Sequence, residues 1–282
     1  MILSFHPCFA ADTQIILADR PLRMEDRRLI QTAEAIILPQ SCSFPLYKAC
    51  ALSKALLFPD YGLRFKYPGK MGQSVLFGKL GVPHPETKPW ASVDNFRAFL
   101  NQQGAPPHEM PFFLKADKSH EGDGVYAVDS PVGLDRALQS LAKTGPEGFI
   151  SQEAIPCRGN VLRAIVLHKK IMTYWKRPGR SQDILTTVSR GARVDRVWKP
   201  ALQKKGREQA RWITEKSGIL LAAFDFVFNL DHPDPQPLIL EINYYFGRRG
   251  LGGSLKYYRL LLNAIREWLK EKGFDARKVK LV

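Results

Sequence analysis

Two short apolar segments near the C-terminus constrain this chain more than any other feature. FDFVFN (Phe224 to Asn229) and LILEINYYFG (Leu238 to Gly247) are rich in β-formers and flank DHPDPQP (Asp231 to Pro237), a composition that reads as strand, turn, strand. A hairpin centred on Pro233 pairs Asp225 with Glu241, Phe226 with Leu240 and Val227 with Ile239. Side chains alternate along a strand, so Asp225, Glu241 and Asn243 then share one face. Phe224, Phe226, Phe228, Leu238, Leu240 and Ile242 share the other, an apolar face suited to a core. Like charges directly opposite each other destabilise a sheet. Two carboxylates beside an amide oxygen suit a hard cation such as Mg²⁺. Taken alone, the pattern equally suits a surface hairpin with two solvated acids.

The rest of the chain narrows the choice. With 282 residues, 45% of them apolar, it can bury a sizeable core in one large or two to three small domains. No apolar run approaches the ~20 residues that span a bilayer, and MILSFHPCFAAD lacks the basic flank of a signal peptide. Cys8, Cys42, Cys50 and Cys157 are scattered, without metal-type spacing, and read as small buried hydrophobes in a reducing compartment. A cytoplasmic protein without membrane contact is expected. The net charge of +15 is uneven: residues 163 to 211 hold 14 Lys or Arg against three acids. Such a patch attracts a nucleotide, an acidic substrate or nucleic acid, although Lys204, Lys205, Arg207 and Arg211 suit the wet face of a helix.

Residues 1–68 alternate short strands (ILSFH, TQIILAD, AIILP) with helices (RMEDRRLIQTA, KACALSKALLF), a small α/β unit. A loop, FPDYGLRFKYPGK, leads to a helix at MGQSVLFGKLG, with Val75, Leu76 and Leu80 on its apolar face and Gly81 as its stop. PFFLKAD, VYAV and FISQEAI read as strands and SPVGLDRALQSLAKTG as a helix. LRAIVLH and IMTYWKR form a hairpin, and KPALQKKGREQARWITEKSG is a helix with Leu202, Trp212 and Ile213 inward. A closing helix from about Ser254 to Gly273 repeats Leu255, Tyr258, Leu262, Ile265 and Leu269 at helical spacing.

Three further groups carry chemistry. Lys115 ends a strand and precedes a loop with Gly122 and Gly124, followed by Val125. Glycines allow close backbone approach to a phosphate, and a lysine reaches it as a point charge; an ordinary turn with an exposed lysine fits the same residues. Gln152, Glu153, Ala154, Ile155 and Pro156 end a strand whose backbone suits an adenine edge, or simply an edge strand stopped by proline. Arg163, Lys176, Arg177 and Arg190 are spaced to meet phosphate or carboxylate oxygens.

In order, these pieces resemble the ATP-grasp superfamily. The series runs from Lys70 and the G-V-P-x-P-E-T stretch (Gly81 to Thr87) to Lys115 with its glycine loop and then Q-E-x-I-P. Arg163, Arg190-Gly191-Ala192, Asp225 and Glu241-Ile242-Asn243 follow. The nearest likeness is to glutamate-ligating and glutathione-synthetase-like ligases, and it spans about residues 70 to 270. The resemblance implies an α/β (α+β) chain with a short α/β domain at 1–68. Two α+β subdomains at 69–156 and 157–282 would grip ATP. It implies Lys70 and Lys115 at phosphates, Lys176 among the cofactor-binding residues, Gln152, Glu153 and Ile155 at adenine, and Gly122, Gly124 and Val125 as a phosphate flap. Asp225, Glu241 and Asn243 would hold Mg²⁺ or Mn²⁺, with Arg190 and Arg163 as catalytic residues. An acid that such proteins place seven or eight residues after Glu153, near the ribose, is replaced here by Asn160 and Val161, with Asn160 the stand-in.

The implied activity is an ADP-forming ligase that joins a carboxylate to an amine or thiol, both small molecules or peptide ends. Tyr244, Tyr245, Arg248 and Arg249 would shape a pocket for an acidic acceptor. A regulatory nucleotide binder without turnover and a phosphotransferase are the alternatives. No nucleic-acid partner is expected, because basic residues are not interleaved with aromatics as in single-strand binders. A homodimer would be unsurprising.

Overall fold

The computed structural model describes residues 1–119, 123–143, 148–179 and 191–282. The chain opens with β1 (Ile2–Ser4), β2 (Phe9–Ala10), β3 (Thr13–Gln14), α1 (Met24–Thr32), β4 (Ala35–Ile37), α2 (Phe44–Ala51), β5 (Leu56–Phe58) and α3 (Gly62–Lys66). Strands β3, β1, β4 and β5 form a parallel sheet in that order. Ile2, Leu3, Ala35, Ile36 and Ile37 are all buried, the near-continuous apolar pattern of a parallel sheet covered on both faces. Two expectations are corrected here. TQIILAD contributes only the two strand residues of β3, and KACALSKALLF is not one helix. Helix α2 ends at Ala51 because Ser53 bonds back to the Cys50 carbonyl through both its amide (3.1 Å) and its hydroxyl (2.7 Å). That local bonding competes with helix continuation, and Leu56–Phe58 becomes the edge strand β5.

Helix α4 (Gly69–Leu80) stops at Gly81, whose φ of 67° is left-handed as expected. Its inward face is rotated from the expected one: Leu76 and Phe77 are buried, whereas Val75 is 45% exposed. The next unit comprises β6 (Thr87–Trp90), α5 (Val93–Gln103), β7 (Phe112–Ala116), β8 (Val125–Val128), α6 (Pro131–Lys143) and β9 (Phe149–Glu153). Its strands form an antiparallel sheet ordered β6-β9-β7-β8 with a separate core of Phe96, Phe112, Leu114, Leu138 and Phe149. Strand β6 and helix α5 are additional to the elements expected from the sequence. Strand β6 tolerates Pro89 because it lies on the sheet edge, and α5 begins at Ser92, whose hydroxyl accepts the Asn95 amide at 3.2 Å.

The largest sheet is built from β10 (Val161–Leu167), β11 (Lys170–Arg177), β12 (Arg193–Asp195), β13 (Leu221–Val227) and β14 (Leu238–Asn243), with α7 (Pro200–Ser217) before β13. Its order is β12-β11-β10-β13-β14, antiparallel throughout. Helix α8 (Ser254–Glu271) and β15 (Lys280–Leu281) follow, β15 pairing with β2. One face of the sheet sends Leu162, Ala164, Trp175, Phe224, Phe226 and Phe228 into a core shared with α7, α4 and the N-terminal sheet. The other face packs Ile165, Leu167, Leu221 and Ala223 against Tyr257, Leu261, Ile265 and Trp268 of α8. The helical repeat of α8 is largely as expected: Ile265 and Leu269 are buried and Tyr258 and Leu262 pack partly against the core, but Leu255 is 60% exposed and Tyr257 is buried in its place. In α7, Leu202 and Ile213 are buried and Trp212 only half-buried.

The hairpin register holds at the site and changes beyond it. Asp225 pairs with Glu241 as expected, but a bulge follows, so Phe226 pairs with Ile239 and Val227 with Leu238. The expected Phe226–Leu240 and Val227–Ile239 pairs do not form. Ile239, rather than Leu238 or Leu240, enters the core, and its amide donates to the Pro83 carbonyl at 2.9 Å.

Candidate functional site

The charged residues gather at one end of the sheet face that α8 covers at the other. Arg163, Asp225 and Glu241 lie side by side because β10, β13 and β14 pair Arg163 with Asp225 and Asp225 with Glu241. The Asp225 carboxylate is 1% exposed, and its Oδ2 is fully engaged. Arg163 grips it bidentately, Nε to Oδ1 at 2.8 Å and Nη2 to Oδ2 at 2.7 Å, and Lys176 adds Nζ to Oδ2 at 2.8 Å. Burial alone would raise this carboxyl. The cations of Arg163 and Lys176 outweigh it and hold Asp225 well below the usual carboxylate range. Lys176 is pulled down by burial, with Asp225 opposing and Arg163 adding a like charge. The like-charge pair across β13 and β14 is thus relieved by cations of the chain itself, and by Asn243. Its Nδ2 donates to Glu241 Oε1 at 3.0 Å and lies 3.3 Å from Asp225 Oδ2.

Two more lysines reach this cluster from the neighbouring sheet and α4. Lys115, the last residue but one of β7, donates to Gln152 Oε1 at 2.5 Å. Burial pushes its amine down to about 8, with Glu241 opposing and Lys70 adding to the shift. Lys70, in the first turn of α4, donates to the carbonyls of Ala116 (3.1 Å) and Ser119 (2.8 Å) and lies 3.0 Å from Ser119 Oγ. Burial lowers it too, and Glu241 and Asp117 oppose. Asp117 caps this helix from outside, accepting the Met71 amide at 2.7 Å. Gly124 (φ 63°) closes the loop after Lys115: its carbonyl accepts the Ala116 amide at 2.8 Å, and a Cβ there would lie 2.8 Å from that of Ala116. Val125 pairs with Lys115 across β7 and β8. Gly122 and Arg190 lie outside the described residues.

The segment expected to read adenine is partly committed. Glu153 exchanges bonds with Glu86, its amide to the Glu86 carbonyl at 3.0 Å and its carboxylate to the Glu86 amide at 2.8 Å. The Ile155 carbonyl accepts the Cys157 amide at 2.6 Å. Asn160 staples its own turn, donating to the carbonyls of Cys157 (3.0 Å) and Arg158 (2.9 Å). Beyond β14, the Tyr244 carbonyl accepts Gln40 Nε2 at 3.2 Å. Arg248 stacks 5.2 Å from Tyr257 and 4.6 Å from Tyr258, with no carboxylate partner among the described residues. Tyr245 is 67% exposed and Arg249 is also exposed.

The donor chemistry suits a hard divalent cation. Glu241 Oε2 and Asn243 Oδ1 accept no hydrogen bond among the described residues, and Asp225 Oδ1 accepts only one. These are three oxygens on one face, the donor type Mg²⁺ prefers. Asp225 is already neutralised, so Glu241 is the carboxylate left to meet a cation. Among the described residues no three His, Cys, Asp or Glu side chains cluster, so an amide would have to complete the set.

No protein-family model and no curated protein matches the chain. Solved structures do. The ADP complex of purK, N5-carboxyaminoimidazole ribonucleotide synthetase, matches with a TM-score of 0.61 at 14% identity, over 85% of this chain and 60% of that one. A RimK domain ATP-grasp protein from Sphaerobacter thermophilus matches at 0.58 and 16% identity, over 92% of this chain and 97% of the other. VanG D-Ala:D-Ser ligase from Enterococcus faecalis matches at 0.59 and 16% identity, over 82% and 72%. The chain has the ATP-grasp fold. No helix among the described residues is long and apolar enough to cross a membrane.

Proposed function

We propose that the protein is an Mg²⁺-dependent, ADP-forming ligase that joins a carboxylate to an amine or thiol through an acyl phosphate. The observation that carries this reading is the convergence, on an ATP-grasp fold, of Glu241 and Asn243 with Lys115 and Lys70. Both amines lie within electrostatic reach of Glu241. The names of the structural neighbours, a synthetase and a ligase among them, support the same class.

In this reading a substrate carboxylate oxygen attacks the γ-phosphorus of ATP, and the bond to the ADP oxygen breaks. The amine or thiol then attacks the acyl carbon, loses its proton, and phosphate leaves. Lys115 would hold phosphate oxygens from a fixed position, and Lys70 would join it by exchanging the Ser119 carbonyl for a phosphate oxygen. Arg163 would keep Asp225 ionised and aligned. Arg190 would meet the acyl phosphate, and Arg248 the acid group of the acceptor. Gln152, Glu153 and Ile155 would present backbone groups to adenine, with Asn160 near the ribose. Mg²⁺, held by Glu241 and Asn243 with Asp225 as third oxygen donor, would neutralise phosphate charge.

One observation favours the rival reading of a nucleotide-binding regulator: the Asp225 charge is already neutralised by Arg163 and Lys176. Calorimetric titration of ATP with Mg²⁺ or with EDTA, on the wild type and Glu241→Ala, separates the cases. Binding that needs Mg²⁺ and is weakened by the substitution supports the metal site, and ADP release with a panel of carboxylates and amines then decides for turnover. Equal binding in all arms would sink the ligase reading.

A further inference from the structure

Strand β14 carries Glu241 and Asn243 on a sheet edge: β13 lies on one side and no strand of the described residues on the other. An edge leaves backbone N–H and C=O groups unpaired. At Ile242 that edge is filled by a side chain. Gln73 Oε1 accepts the Ile242 N–H at 2.7 Å, and Gln73 Nε2 donates to the Ile242 carbonyl at 2.9 Å. One amide thus reproduces both bonds of a ladder rung. Ile242 stands between the two oxygen-bearing residues, so holding both of its backbone groups fixes the directions in which Glu241 and Asn243 leave the strand.

Position and anchoring make this more than a passing contact. The ladder from β14 to β13 is interrupted by the bulge between Asp225 and Phe226, immediately beside Glu241. A bulge leaves the backbone locally unpaired, so the outer edge needs a second support there. Gln73 is itself held, because α4 buries Leu76 and Phe77 in the large core and takes its N-terminal cap from Asp117.

We propose that Gln73 is a positioning residue for the divalent-cation site, setting Glu241 and Asn243 through the backbone of Ile242. This deepens the ligase reading and rests on its metal assignment. Gln73 touches neither the cation nor the nucleotide in this role. Groups that orient metal ligands typically change metal affinity about 10–100-fold when removed.

The test uses the full chain and two substitutions. Gln73→Met removes both bonds. Gln73→Glu keeps an acceptor for the Ile242 N–H and places a second oxygen against the Ile242 carbonyl. ATP affinity is measured by calorimetry across a Mg²⁺ titration and in EDTA, and folding by circular dichroism. In Gln73→Met the Mg²⁺ concentration for half-maximal ATP binding should rise about tenfold or more, with affinity in EDTA unchanged and Gln73→Glu intermediate. An unchanged Mg²⁺ requirement in a folded variant overturns the positioning role and leaves the ligase reading intact. A parallel fall with and without Mg²⁺ also overturns it, since that marks a packing role for α4. If Gln73→Met does not fold, Gln73→Glu decides by the same criteria. A wild type with no Mg²⁺-dependent ATP binding removes the ligase reading and this role together.

Discussion

Lys115 Nζ and Gln152 Oε1 lie 2.5 Å apart, diagonally across β7 and β9, and the contact continues through the protein. Gln152 Nε2 donates to Thr87 Oγ1 at 2.9 Å, and that hydroxyl donates to the Pro85 carbonyl at 2.7 Å. The chain of bonds fixes which end of the Gln152 amide faces the amine. It also gives Lys115 a neutral partner, so burial is only partly offset and the amine titrates at about 8.

A bound polyphosphate would favour the protonated amine, so ATP binding should take up protons near pH 8 to 9 and none near pH 6. Calorimetry in two buffers of different ionisation enthalpy reads this directly. The folded value lies below the ordinary lysine value of 10.5. Lys115 therefore lowers stability most below pH 8, and that penalty fades as pH rises toward 10.5. No uptake at pH 8.5 would mean that the phosphates do not approach Lys115.

Asp225→Asn and Glu241→Gln should separate stability from binding. Removing the Asp225 charge leaves Arg163 and Lys176 buried without a counter-ion, a loss of about 3–5 kcal/mol, measured by urea unfolding. The Asp225 contribution should be present in full above about pH 4 and fall away on acidification through its depressed folded value. Glu241 has no ion pair among the described residues, so Glu241→Gln should shift stability by less than about 1 kcal/mol while weakening Mg²⁺-dependent ATP binding.

Gly69→Ala should loosen the start of α4. Gly69 has a φ of 67°, and a Cβ there would sit 2.3 Å from the Asp117 carboxylate. A left-handed alanine costs about 1–2 kcal/mol, and displacing the Asp117 cap about 1 more. Chemical denaturation should show a loss of about 2–3 kcal/mol, and a loss of only about 1–2, the backbone cost alone, would mean that Asp117 moves freely.

Arg248→Ala should raise the KM for acidic acceptors about 10–100-fold, the worth of a charged hydrogen bond, and leave the ATP affinity unchanged. Equal turnover of acidic and neutral acceptors in the wild type and the variant would exclude Arg248 from the acceptor pocket.

Much of this was legible in the residues. Gly81 and Gly218 mark helix ends because left-handed backbone suits glycine, and the Asp225–Glu241 pair agrees with a hairpin centred on Pro233, although the pairs beyond the bulge do not. What escaped depends on contacts distant in sequence. Nothing around Gln73 signals that it bonds a strand 169 residues later. The counter-ions of Asp225 come from two other strands, so the sequence suggested a metal where the fold first supplies Arg163 and Lys176. Strand β5 is hidden in the sequence because Ser53, an unremarkable residue in a helical stretch, terminates α2 by bonding Cys50. Val75 of α4 and Leu255 of α8 are exposed although they fit the apolar stripe, because periodicity gives its spacing whereas the neighbours decide where it begins and ends.

The bulge at Leu240 has a consequence for recognising distant kin of this chain. It uncouples the parity of the turn from the parity of the site: a residue can be gained or lost between Asp225 and Glu241 without turning Glu241 to the opposite face. A pattern with fixed spacing between the acid of the first strand and the acid of the second would therefore pass over chains built the same way. A search that allows one residue of slack, and asks instead for a glutamine on a helix far upstream, where α4 carries Gln73, would retain them.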